Sequence, residues 1–148
     1  MPRQFFALSG KIMDQQHVGS CLCGAVTFKI EGTFERFFLC LCTYCRKDTG
    51  SAHSANLFAS SAKFHWISGQ DQVQTYNFPQ TRHVRCFCSV CGSAMPHVAN
   101  EFIVVPAGSL DSNITATPDA HIFVASSAAW ERDLASIPAF DSFPLSGT

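Results

Sequence analysis

The segment CLCTYC at 40–45 places Cys40, Cys42 and Cys45 within six residues. Two further clusters flank it in the chain: Cys21 and Cys23 in GSCLCG, and Cys88 and Cys91 in FCSVCG. Thiolates are strong zinc ligands, and each cluster is short enough for one loop to present its sulfurs to a single metal. Four thiolates, two from each of two distant turns, make a closed tetrahedral zinc site, and Cys21, Cys23, Cys88 and Cys91 supply that set. The middle trio is then one ligand short. Three protein ligands and an open position are the arrangement of a catalytic zinc. Gly24 and Gly92 follow the two paired clusters, where a tight turn calls for positive φ so that backbone amides point at sulfur. Two blander readings stay open at this point. Both sites are structural, with Cys86 or His53 completing the trio, or the trio is a metal-free redox set. Cys86 itself, two residues before Cys88 on a strand-like alternation, reads as a small packed hydrophobe.

Positioning these loops falls to short strands. Alternating apolar residues mark AVTFKI, ERFFLC, SANLFA, KFHWIS, QTYNF, HVRCFC, FIVVPAG and HIFVASSAAW, the period of half-buried β-structure. Turn residues punctuate them in EGTF, SGQD, FPQT and AGSLDSN, as expected between hairpin strands. Helical periodicity is nearly absent; the sequence predicts a turn or two after Cys45, through RKDTGS, and no helix beyond ten residues. The expected class is all-β, built of antiparallel sheets. Residues 1–16 read as an N-terminal extension and 17–148 as one domain.

Composition narrows the function classes. A chain of 148 residues buries about 68 to 70% of its unfolded surface and does not need disulfides to fold. Apolar residues make up 47%, fourteen of them Phe, and mean hydropathy is +0.11, which points to a dense core rather than disorder. Ten basic residues against eleven acidic give a net charge of −1, with no basic stripe beyond Arg46-Lys47, so nucleic acid is not an expected partner. No apolar run is long enough for a membrane span or a signal-peptide core. The protein is therefore expected in the cytoplasm, where eight cysteines serve metal binding or catalysis rather than disulfides. The oligomeric state is not legible.

Read together, GSCLCGAVTFKIEG, CLCTYCRKDTGS, FCSVCGS, HIFVASSAAW and IPAFDSFP resemble the successive signatures of the glutathione-dependent formaldehyde-activating enzyme family. The resemblance runs from about His17 to Pro144. It implies a β-tent fold of small antiparallel sheets clipped by zinc, with a structural zinc on Cys21, Cys23, Cys88 and Cys91 and a catalytic zinc on Cys40, Cys42 and Cys45. The family usually carries His where this chain has Leu41, a position that is not a ligand there but is expected to shape the pocket wall. The implied activity is that of a carbon–sulfur lyase run as a synthase. Glutathione or a similar thiol joins formaldehyde or a related small electrophile, giving S-hydroxymethylglutathione in the founding case. The implied partners are thus a small-molecule thiol and an aldehyde.

A free thiol of pKa about 8.5 is mostly protonated at neutral pH, whereas a zinc-bound one is deprotonated. The open trio position suits glutathione's sulfur; zinc polarisation of the aldehyde oxygen is the competing route. Three thiolates on zinc already carry net negative charge, which Arg46 and Lys47 are placed to offset, or to hold a glutathione carboxylate. His53 is a candidate for proton transfer. Two other classes compete: a zinc-stabilised binding module, which needs only the four-cysteine site, and another thiol enzyme such as a methionine sulfoxide reductase-like protein, with Cys86 or a trio cysteine as nucleophile.

Overall fold

The computed structural model describes residues 15–144. Eleven strands and one α-helix are present among them, the strands being β1 (Gln16–Ser20), β2 (Thr27–Glu31), β3 (Arg36–Cys40), β4 (Ser54–Ala59), β5 (Lys63–Ser68), β6 (Val73–Asn77), β7 (Val84–Cys88), β8 (Ala94–Met95), β9 (His97–Ala99), β10 (Phe102–Pro106) and β11 (Ala120–Ile122). The helix α1 spans Thr43–Thr49. The strands form three small sheets, ordered β1-β2-β5, β11-β3-β4-β10-β9 and β6-β7-β8. The all-β expectation therefore holds. Of the extension expected over 1–16, residues 1–14 lie outside the described residues, and Gln16 opens β1 opposite Glu31.

Alternation places one face of each strand inward. Phe28 and Ile30 of β2 are buried and meet Trp66 and Phe64 across the β5 register, aromatic pairing that adds to simple area burial. Val26, Phe28, Ile30, Leu57, Met95 and Val105 form the centre of one core, and Cys21, Cys86 and Cys88 belong to the same cluster. Both knuckles of the four-cysteine set therefore close directly over the core.

Three expectations need correction. HIFVASSAAW is a strand only through Ile122, because Phe123 takes the left-handed region at φ +58 and 3-10 turns follow. The sheets are also not wholly antiparallel, since β11 runs parallel to β3. A long connection after β10 brings β11 alongside, and Asp119 anchors it: its carboxylate accepts the Phe37 N–H at 2.8 Å and its own N–H donates to the Phe37 carbonyl at 2.7 Å. The helix begins at Thr43 rather than after Cys45 because Cys42 serves as its N-cap. No helix of the described residues is long and apolar enough to cross a membrane.

Candidate metal and substrate site

The two knuckles are the turns after β1 and after β7. Gly24 and Gly92 sit at φ +84 and +80, a region that favours glycine. Their own N–H groups donate to the carbonyls of Cys21 (3.1 Å) and Cys88 (2.7 Å), closing the turns. Among the amides that reach sulfur are those of two valines: Val26 N–H to Cys21 Sγ at 3.2 Å and Val90 N–H to Cys88 Sγ at 3.4 Å. The sulfurs of Cys21, Cys23, Cys88 and Cys91 all lie within 4.8 Å of one another.

That spacing fits zinc. Zinc–thiolate bonds of about 2.3 Å give a tetrahedron with sulfur–sulfur edges of about 3.8 Å; Cys21–Cys23 at 3.6 Å and Cys23–Cys88 at 4.0 Å bracket the value. The four thiols are not equivalent. The Ser93 hydroxyl and amide hold the Cys91 thiol down at about 5. The Ala25 amide favours the Cys23 thiolate, yet burial and the neighbouring thiols push Cys23 up to about 11. Sulfurs this close share protons unequally, and a full set of thiolates needs a cation among them.

The trio is assembled differently. Cys40 ends β3, Cys42 caps α1, and Cys45 lies buried in its first turn. The Cys42 sulfur accepts the Cys45 N–H at 3.4 Å, the place a Ser or Asp oxygen takes in most N-caps. These three sulfurs also lie within 4.8 Å of one another, and among the described residues no fourth Cys, His, Asp or Glu joins them. Burial, joined by Cys40 and Cys42, holds the Cys45 thiol far above the usual thiol range; burial also raises Cys40. Burial opposes ionisation of Cys42 as well, but the Cys45 amide and the neighbouring thiols outweigh it and lower its pKa. The donor set is that of a soft metal, one position short of a closed site.

Cys45 opens onto a cleft of about 480 Å³ whose polar walls include Asp48, Asn56, His83, Arg85 and His97. Asp48 stands one turn past Cys45, on the same helix face, and its Oδ2 meets His83 Nε2 at 2.5 Å. Arg85 donates from Nη1 to the Asp48 carbonyl (2.9 Å) and from Nη2 to the Gly92 carbonyl (3.1 Å). Strand β7 thus carries Cys88 into the four-cysteine site and clamps the trio helix through the same run of residues. The Tyr44 ring, 5.4 Å from the His83 ring and 5.3 Å from Phe78, completes the docking of α1. Burial, and then the charge of His83, hold His97 below the usual imidazole range.

Of the other candidates, only Cys86 lines this cleft. Arg46 and Lys47 do not line the cleft; Lys47 is exposed, and Arg46 Nε is buried with no hydrogen-bond partner among the described residues. His53 joins neither sulfur cluster. Leu41 is fully buried and lies outside the cleft wall, where the sequence suggested a wall position. Cys86 stands apart from both clusters, buried in the core with its sulfur 3.2 Å from the Thr75 hydroxyl. Asp48, His83, Arg85 and His97 went unread because no spacing motif links residues 35 positions apart.

Small sheets, a four-sulfur cluster uniting the turns after β1 and β7, and a three-sulfur cluster between β3 and α1 beside a cleft define a β-tent protein with two metal-compatible sulfur sites. The chain belongs to the glutathione-dependent formaldehyde-activating enzyme family, whose model matches residues 16–126. It is 28% identical over 128 residues to a Halomonas elongata protein named "Putative glutathione-dependent formaldehyde-activating enzyme", covering 76% of this chain and 77% of that one. In fold it is similar to the crystal structure of a Rhodobacter sphaeroides protein, a structural-genomics target, with a TM-score of 0.53 at 23% identity. That match covers 70% of this chain and 98% of the other.

Proposed function

We propose that the protein is a zinc-dependent carbon–sulfur lyase acting as a synthase, joining glutathione or a similar thiol to formaldehyde or a related small electrophile. The observation that carries this reading is the trio: three sulfurs within 4.8 Å, no fourth ligand among the described residues, and Cys45 on the wall of a cleft of about 480 Å³. Cys21, Cys23, Cys88 and Cys91 hold the structural metal and Cys40, Cys42 and Cys45 the catalytic one. When bound at the trio, zinc supplies a Lewis-acid position at which a thiol is deprotonated at neutral pH.

The chain's own residues do the rest. Cys45 stands at the wall of the cleft, which has room beyond it for the remainder of a tripeptide-sized thiol. Arg82, exposed at the cleft wall, is placed to receive a carboxylate, a role guanidinium fills through paired N–H donors. Arg46 and Lys47 lend α1 the positive charge that offsets the thiolates beside them.

The test is the rate at which labelled formaldehyde and glutathione form the S-hydroxymethyl adduct, followed by NMR exchange. Wild-type protein is expected to speed the exchange and Cys42→Ser to lose the effect. Wild-type protein, loaded with zinc, that leaves the spontaneous rate unchanged contradicts the reading.

A further inference from the structure

We infer that His83, held by Asp48, is the residue that takes the proton from the incoming thiol and returns it to the aldehyde oxygen. The inference rests on the function proposed above. His83 Nε2 is committed to Asp48 Oδ2, so in the neutral ring Nδ1 is left with the free lone pair. A carboxylate behind an imidazole fixes its tautomer and stabilises the imidazolium formed when the ring accepts a proton. The ring lies on the wall that Cys45 and Asp48 also line. Its backbone is pinned at the end of the β6–β7 hairpin: the His83 carbonyl accepts the Phe78 N–H at 3.0 Å, and its N–H donates to the Thr81 hydroxyl at 3.1 Å.

The charged and titratable neighbours are compatible with one exchangeable proton. Asp48 and Tyr44 approach from α1, Arg82 and Arg85 come from His83's own hairpin, and His97 approaches from β9. Arg85 is occupied by two carbonyls. His97 is disfavoured as the proton carrier because burial and the charge of His83 oppose its protonation. The step balances without an outside reagent. The sulfur lone pair forms the bond to the carbonyl carbon, the C=O π pair moves to oxygen, the thiol proton passes to Nδ1, and the same proton then goes to the alkoxide. No atom is oxidised or reduced.

The experiment counts protons on thiol binding, by calorimetry at pH 7.5 in two buffers of different ionisation enthalpy, using zinc-loaded full-length protein and glutathione without formaldehyde. Wild type is expected to release well under one proton per thiol bound, because His83 keeps it, and His83→Gln is expected to release close to one. S-methylglutathione, which has no thiol proton, is expected to give equal counts for both. In turnover, His83→Gln is expected to lose about 10²- to 10⁴-fold in kcat/KM. Should His83→Gln fail to fold by circular dichroism, Asp48→Asn carries the same test with the same direction. Equal proton release from wild type and variant, with both binding glutathione, overturns this inference alone. A wild type that binds no glutathione overturns the proposed function and this inference with it.

Discussion

Replacing Cys88 by Ser should unfold the protein, whereas replacing Cys42 by Ser should not. Cys88 is fully buried in the core at the end of β7, and its cluster joins residues 65 positions apart, Cys23 to Cys88. Treated as a cross-link, a loop of that length removes about 4 kcal/mol of unfolded-state entropy, against about 2 kcal/mol for the short span from Cys40 to Cys45. Structural zinc in small peptides is worth about 10 to 16 kcal/mol, while a whole domain is stable by only about 5 to 15 kcal/mol. Partial loss at the four-cysteine site therefore exceeds the margin. Loss at the trio leaves the sheets tied. The assay is thermal denaturation by circular dichroism with zinc measured on the same samples: Cys88→Ser is expected to be insoluble or without a cooperative transition, and Cys42→Ser to fold with one zinc equivalent missing. A soluble Cys88→Ser protein with an unchanged Tm refutes the structural assignment. A Cys42→Ser protein that unfolds as thoroughly shows that both sites are structural.

Cys86→Ala removes a small buried group that belongs to neither cluster and should cost about 1 kcal/mol with zinc content unchanged; loss of one zinc equivalent would make Cys86 a ligand. Arg85→Met removes both carbonyl contacts that tie α1 to the Cys91 turn. It is expected to leave the fold and the four-cysteine zinc in place while weakening zinc at the trio about 10- to 100-fold in chelator competition. Unchanged affinity at the trio would show that α1 is positioned without the clamp.

The sulfur clusters were legible because ligand spacing is local: each knuckle is read within a few residues, and Gly24 and Gly92 adopt the positive φ that their places imply. Most strands were legible for the same reason. β1 was not, because its inward residues are His17 and Gly19, which carry no apolar alternation. β8 and β9 were too short, two and three residues on either side of Pro96. The parallel pairing of β11 with β3 depends on a contact between Asp119 and Phe37, and the Asp48–His83–Arg85 set depends on docking α1 against β7. Neither leaves a local pattern in the chain. The sequence could suggest cations next to the trio, Arg46 and Lys47, but only the fold brings the cleft's polar groups to Cys45.

The most direct test of the open trio is zinc-edge X-ray absorption of the purified protein with and without glutathione. Two zinc ions per chain are expected, with an average of about 3.5 sulfur ligands alone, from one four-sulfur and one three-sulfur site, rising to about 4 when glutathione is added. An average already at 4 without thiol, or one that glutathione leaves unchanged, contradicts the account.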